Sequence, residues 1–341
     1  MALTVLFADN TQKEAWASGI RWTIDALIAA TPPQRHRLEV CRHDQLAERL
    51  PQLKPDVLVV NAPSSWRSLL SFRRLKAPIR LLVEHHYCEG FALHMQHRYG
   101  KPLARLEWML RLSYRSFDRV VAVSRGQAEW MRRRSLVKAE RLATVCTSRE
   151  VHEFEALALP EPHAGPLVLG ALGRFSEQKG FDLLLEAMRR LDPAQVQLRL
   201  GGGGDEEEAL RRAAADLPHV SFSGVITDLP AFFAGIDALV VPSRWEPFGN
   251  VALEAKASGR PVLVTQVDGL TEQASGCGLI ATAGPGELAG AIAQLIRCGP
   301  EQRRAWGEEG RRQAGLAWPT YVETWLQLLD DLEAGRSGMK Q

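Results

Sequence analysis

The chain has 341 residues, 45% hydrophobic and 24% charged, with a formal net charge of +2, an ordinary globular composition long enough for two domains. No apolar run reaches the roughly 18–20 residues that span a bilayer. Five scattered cysteines, odd in number and without C-x-x-C spacing, exclude a disulfide framework or structural zinc knuckle and fit a reducing, cytoplasmic setting.

Taken in order, the opening MALTVLFADN lacks a basic leader and reads as a strand at Thr4–Phe7, not a signal peptide. Asn10 to Gly19 reads as a polar, glycine-ended loop and Ile20 to Ala30 as an amphipathic helix. Strands follow at Leu38–Cys41 and Val57–Val60, with a helix around Asp44–Leu50 between them. The next strand, Ile79–Val83, runs straight into Glu84-His85-His86. A histidine at the carboxyl end of a strand can donate a hydrogen bond or move a proton near neutral pH. Alternation lets only one of the two face a given side; the sequence leaves the choice open, with His86 preferred. His94, His97 and Cys88 lie close by, but their spacing fits no common zinc pattern, so no metal is expected. A basic helix over Lys101–Ser116, a strand over Val120–Ser124, a helix over Gln127–Arg134 and a strand over Ala143–Cys146 complete this half. Ala156 to Pro166, with three prolines and a glycine, reads as the linker.

The charge is unevenly divided. Residues 1–160 carry 25 Lys and Arg against 16 Asp and Glu, and residues 161–341 carry 17 against 24. The excess is densest from Arg98 to Arg141. Such a run is either a solvated helix face or a surface drawn to an anionic membrane, and the tryptophans and leucines within it are either core or part of that surface.

The second half opens with a strand at Leu167–Ala171, the loop Gly173-Arg174-Phe175-Ser176-Glu177-Gln178-Lys179-Gly180 and a helix over Phe181–Leu191. The strand Val196–Leu200 runs into four glycines, Gly201 to Gly204. A dinucleotide fingerprint fails there, because its last glycine falls on Glu206 and the acidic run from Asp205 to Glu208 repels a pyrophosphate. The glycines instead suit a close approach to a ligand or a neighbouring loop. A short strand at Val220–Val225 and a small helix at Leu229–Ala234 lead to the apolar strand Ile236–Val241. Pro242-Ser243 stops that strand, and the loop Arg244 to Gly249 leads into a helix near Asn250, whose side chain suits an N-cap. This is a strand–loop–helix junction, where free amides and the helix dipole favour a phosphate. Glu246 stands before the helix and Glu254 within it. A phosphate-binding turn flanked by two carboxylates suits a sugar nucleotide, with hydroxyls at either end and the diphosphate between. A buried strand at Pro261–Val264 and helices over Leu288–Ile296 and Tyr321–Leu332 follow.

The run E-P-F-G-N-V-A-L-E, Glu246 to Glu254, resembles the E-x7-E signature of the retaining glycosyltransferases of family 4. The resemblance implies the α/β GT-B fold, two Rossmann-like doubly wound domains facing a central cleft. It implies an acceptor-binding domain over 1–160, a nucleotide-sugar-binding domain over 161–315, and a C-terminal helix over 316–341 crossing back to the first. Relatives hold the diphosphate with the Arg and Lys of a G-R-x-x-x-x-K-G loop, which Gly173, Arg174 and Lys179 match. Two cations there offset the charge that builds on a leaving diphosphate. The resemblance further implies a donor-sugar contact from His85 or His86, with His86 placed among the catalytic residues, and a backbone approach at Gly19. It places the base beside Val225 and Thr227, and the phosphates on Pro247, Phe248, Gly249, Asn250 and Val251. Glu246 would orient the sugar hydroxyls and Glu254 accept from the ribose. The implied reaction moves a hexose-type sugar from a nucleotide-diphosphate donor to an acceptor hydroxyl with retention. No metal or other cofactor is implied, and no D-x-D run is present. The acceptor is expected to be a saccharide or lipid-linked, as in polysaccharide, lipopolysaccharide or glycolipid synthesis, with the basic half at the inner face of the membrane and no nucleic acid as partner. Thr147-Ser148-Arg149-Glu150 departs from the Asn-Gly-Val-Asp of many relatives. The other readings are a non-catalytic GT-B-like binding subunit and a sugar-nucleotide epimerase on the same fold.

Overall fold

The computed structural model describes residues 2–9 and 19–338, so most of the expected Asn10–Gly19 loop lies outside it. Contacts divide the chain into Met1–Glu150 with Ala317–Gln341, and Val151–Leu316.

The first unit is built on six parallel strands: β1 (Leu3–Asp9), β2 (His36–Arg42), β3 (Val57–Asn61), β4 (Ile79–Glu84), β5 (Arg119–Ala122) and β6 (Leu142–Thr144). Their order is β2-β1-β3-β4-β5-β6. All five residues of β3 are buried, as a strand covered on both faces requires. The helices are α1 (Gly19–Ala30), α2 (Leu46–Leu53), α3 (Ser68–Arg74), α4 (Glu89–Tyr99), α5 (Leu103–Tyr114) and α6 (Arg125–Arg133). Leu58, Leu82, Met109, Leu110 and Trp130 belong to one core. Sequence periodicity gives little sign of α3, a seven-residue helix that buries only Phe72. Ser124, expected to end a strand, instead caps α6, its Oγ accepting from the Gln127 amide at 3.1 Å.

The second unit begins with α7 (His152–Glu155), then β7 (Leu167–Leu172), α8 (Phe181–Met188), β8 (Val196–Gly201), α9 (Glu207–Ala213), β9 (Val220–Gly224) and α10 (Leu229–Ala234). It continues with β10 (Ala238–Val241), α11 (Asn250–Ala257), β11 (Val262–Thr265), α12 (Thr271–Ala274), β12 (Gly278–Ala281) and α13 (Pro285–Arg297). The six strands are parallel in the order β12-β11-β10-β7-β8-β9. A second core joins Leu169, Phe181, Leu185, Leu198, Val240 and Ile292.

The last helix, α14 (Gly299–Gly338), is 40 residues long and includes Pro319, so it far exceeds the expected Tyr321–Leu332. From Ala317 onward it clusters with the first unit. There Trp325 packs edge-on against Phe7, with ring centroids 5.5 Å apart. His36 is buried beside it, accepting from the Leu3 amide on Nδ1 (3.3 Å), which leaves Nε2 to donate to Asp330 at 2.9 Å. Arg35 adds a second bond to Asp330, at 2.7 Å. No helix among the described residues is long and apolar enough to cross a membrane.

Candidate functional site

In the second unit β7 lies between β8 and β10, so the chain builds outward on one side of β7 and then returns to build on the other. Strand ends at such a switch point diverge, and the crevice above them is where α/β sheets bind ligands. Two loops meet there, 173–180 after β7 and 242–249 after β10.

They are joined by charge. Lys179 Nζ donates to Glu246 Oε2 at 2.5 Å, and Ser243 Oγ donates to the same oxygen at 3.3 Å. The Glu246 amide donates to Asp268 Oδ2 at 3.0 Å, so this carboxylate is fixed at its backbone and its head. Among the described residues nothing bonds to its other oxygen, Oε1. An ammonium has three donors, so Lys179 can keep Glu246 and still grip a phosphate. Arg174 is exposed and makes no hydrogen bond or ion pair among the described residues.

Backbone bonds draw the loops closer. The Arg244 amide donates to Gln178 O at 2.7 Å, and Gln178 Nε2 returns a bond to Trp245 O at 3.2 Å. Arg244 also donates to Glu177 O at 2.9 Å and grips the Asp182 carboxylate. Gly180 has φ +65°, and a Cβ on it would collide with the carbonyl of Pro242. The four-glycine turn serves the same end: Phe175 N donates to Gly203 O at 2.9 Å, and a Cβ on Gly202 would strike the Gly173 carbonyl. What these glycines approach is therefore the neighbouring loop that carries Arg174.

Asn250, expected to cap α11, does not; Gly249 does, at φ +99°, where a Cβ would lie 2.7 Å from Leu270 Cδ1. The tight Pro247-Phe248-Gly249 turn, all three residues buried, takes the entry to the helix and leaves Asn250 as its first residue. Among the described residues Asn250 Oδ1 is buried without a partner. With no side chain among them capping the helix, the amides of Asn250 and Val251 are left as donors for an anion. Glu254 is buried on the same helix. Val225 and Thr227 are exposed beyond β9, and Val225 Cγ2 would lie 3.3 Å from a Cβ on Gly203, which sets it beside the glycine turn.

His85, His86 and Gly19 belong to the first unit. Gly19 is the first residue of α1. His85 lies at the end of β4, its Nε2 3.1 Å from Asn61 Oδ1 at the end of β3. Burial, with a smaller contribution from His86, pushes its imidazole down to about 3, so it stays neutral. His86 is exposed. Beneath them Glu84 is buried, its Oε1 accepting from the amides of His86 (2.9 Å) and Tyr87 (3.0 Å) and its Oε2 from Tyr114 Oη (2.9 Å). Burial lifts this carboxyl to about 7, against those hydrogen bonds. Gln127 Nε2 donates to the carbonyls of Glu84 and Tyr87, both at 2.8 Å, and clamps the same turn.

A possible cation set, His36, Asp330 and Glu333, has ligand atoms within 4.8 Å of one another. Both ring nitrogens of His36 are already engaged, which suits a structural link better than a metal ligand.

Sequence reasoning passed over Arg244, Asp182, Asp268 and Ser243. Asp182 stands in the first turn of α8, where an acid reads as a partner of the helix dipole, and nothing local links it to an arginine 62 residues away.

Residues 5–151 match the model of Glycosyltransferase Family 4, and residues 166–298 that of Glycosyl transferases group 1. The lipopolysaccharide core biosynthesis glycosyltransferase LpsE of Rhizobium meliloti is 36% identical over 168 residues, 48% of this chain and 48% of that one. A glycogen synthase of Alkalilimnicola ehrlichii is 36% identical over 182 residues, 48% of this chain and 37% of that one. The chain thus spans about half or less of the length of the curated relatives it matches. Among solved structures, Anabaena HepE in complex with UDP and glucose superposes with a TM-score of 0.73 at 18% identity, over 97% of this chain and 100% of that one. Sucrose-phosphate synthase of Thermosynechococcus elongatus gives 0.76 at 21% identity, over 98% and 100%. With both halves matched and both sheets doubly wound, the chain belongs to the family 4 (group 1) glycosyltransferases, with the GT-B fold.

Proposed function

We propose that the protein transfers a hexose-type sugar from a nucleotide-diphosphate donor to an acceptor hydroxyl, with retention at the anomeric carbon. The observation that carries this reading is the Lys179–Glu246 pair at the β7/β10 switch point, with Arg174 on the same loop as Lys179, exposed and unpaired among the described residues. The bond from the anomeric carbon to the phosphate oxygen breaks, and one from that carbon to the acceptor oxygen forms on the same face. The acceptor proton passes to the leaving diphosphate. Negative charge grows on the diphosphate, where Arg174, Lys179 and the amides of Asn250 and Val251 stabilise it without a metal. Positive charge grows on the ring, where Glu246 Oε1 is available to the sugar hydroxyls. Glu254 takes the ribose, and Val225 and Thr227 border the base. A neutral His85 or the exposed His86 contacts the donor sugar.

The UDP and glucose in the HepE structure support a uridine donor, and the lipopolysaccharide-core relative supports a lipid-linked or otherwise anionic saccharide as acceptor. A thermal-shift screen of sugar nucleotides identifies the donor, since a ligand bound only by the native state raises its melting temperature. With that donor, Glu246→Gln is expected to lose transfer while its circular dichroism stays native. Full kcat in that variant would remove Glu246 from the reaction.

A further inference from the structure

We propose that the outer face of α3 and α5 in the first unit is a docking surface for an anionic lipid bilayer. The proposal extends the reading of a lipid-linked acceptor and rests on it for its purpose.

Within the densest basic run, the block Arg132–Arg134 at the end of α6 is not part of the surface in question. Arg132 pairs with Glu129 at 3.1 Å, Arg133 with Glu89 at 2.6 Å and Arg134 with Glu107 at 2.5 Å. Trp130, beside that block, is core. The charge that matters here lies on α3 and at the start of α5.

The turn into α3 is already helical, because Leu69 N donates to Ser65 O at 3.2 Å. Ser65 and Ser68 bond each other reciprocally and fix that entry, at 2.7 and 3.0 Å. Trp66 and Leu70 therefore stand one turn apart on the same face, 41% and 64% exposed, while Phe72 is buried on the opposite one. Arg67, Arg73 and Arg74 flank them, exposed and without an ion pair among the described residues. On α5, Trp108 is 58% exposed, and its indole lies against that of Trp66, with centroids 5.2 Å apart. Arg105, one turn before Trp108, is exposed and unpaired among the described residues.

No carboxylate opposes this charge from either helix. α3 has none, and Glu107, the acid of α5, is buried and held by Arg111 and Arg134. Two indoles and a leucine ringed by unpaired guanidinium groups match the apolar–polar boundary of a bilayer with anionic headgroups. A polysaccharide is a poorer match, since the indoles meet at a tilt of 55° with no shared flat face and a leucine offers no stacking face.

The test is co-sedimentation at low salt with phosphatidylcholine vesicles, with and without phosphatidylglycerol, in the absence of nucleotide. The wild type is expected to partition onto the anionic vesicles and to leave them as salt rises. Arg73→Ala with Arg74→Ala should weaken partitioning about 30-fold, at about fivefold per basic side chain. Trp66→Ala with Trp108→Ala should weaken it on the order of tenfold or more. Melting temperatures should hold in both. Absence of wild-type binding, equal binding to neutral vesicles, or unchanged binding by the tryptophan pair would overturn the proposal. So would capture by polygalacturonate without vesicle binding, or a concentration-dependent dimer that the tryptophan changes abolish. Nucleoside diphosphate titrations of the same variants report separately on the sugar-transfer reading.

Discussion

Arg244 holds both carboxylate oxygens of Asp182, at 2.8 and 2.6 Å, from the far side of the β7/β10 switch point. A planar guanidinium fork fits a carboxylate in one orientation, so the bond fixes direction as well as distance. The same side chain reaches Glu177 O, so the loop carrying Glu246 is registered against the loop carrying Lys179. The Lys179–Glu246 pair takes its geometry from this second pair of side chains, outside it.

Arg244→Lys keeps the charge and loses the fork. Stability should fall by about 1 kcal/mol or less, because Asp182 is half exposed. Catalytic efficiency should fall more, on the order of tenfold, from mispositioning of the loop. Burial raises the Asp182 carboxyl, but the bonds and charge of Arg244 more than offset it and hold the group below its ordinary 3.8. This link therefore stabilises the fold above that value and is lost as pH falls through the depressed one. Thermal melts of wild type and variant should converge in acid; a gap that stays constant would mean the fork is not formed.

Lys179 and Glu246 are nearly buried, so removing either strands the other. Lys179→Ala should cost about 2 kcal/mol, less than a fully buried pair because some water still reaches both groups. Adding Glu246→Gln should restore part of that loss. A double-mutant cycle is expected to give a coupling of at least about 1 kcal/mol. Additive effects would argue that the two groups do not meet in solution.

Glu84 carries a pH signature of opposite sign to Asp182. Its folded value, about 7, lies above its ordinary 4.5, so between these values the unfolded chain loses a proton that the native state keeps. Its burial thus costs stability increasingly from about pH 4.5 and fully above about pH 7. Glu84→Gln preserves an acceptor for the His86 and Tyr87 amides and removes the titration. The variant should match wild type in acid and exceed it by up to about 3 kcal/mol above pH 7. Denaturant titrations across this range check it, and a pH-independent difference would contradict it.

Much of the fold was legible in the sequence because parallel strands buried on both faces read as unbroken apolar runs. β3, β10 and β11 each stand out in that way. The Gly173–Gly180 and Glu246–Glu254 stretches were legible because each packs its chemistry into one short segment. What joins them was not. Arg244–Asp182 and Glu246–Asp268 are contacts between loops distant in sequence, and neither residue type announces its partner. The Asn250 cap failed for a related reason: a good capping side chain was displaced by a glycine whose left-handed backbone and close approach to Leu270 leave no room for a side chain. In the first unit, charge density pointed to the Arg98–Arg141 run, whereas ion pairing consumes Arg132, Arg133 and Arg134 there, and Arg67, Arg73 and Arg74 around the shorter α3 stay exposed and, among the described residues, unpaired.

Arg174 is a cation at the switch point with no protein partner among the described residues. Its removal should cost the fold nothing beyond about 0.5 kcal/mol. The decisive measurement is calorimetric titration of UDP, GDP and ADP into the wild type and Arg174→Ala. One nucleotide should bind the wild type, and the variant should bind it at least about tenfold more weakly at an unchanged melting temperature. Failure of all three to bind, or equal affinity in the variant, would contradict the claim that this loop grips a diphosphate.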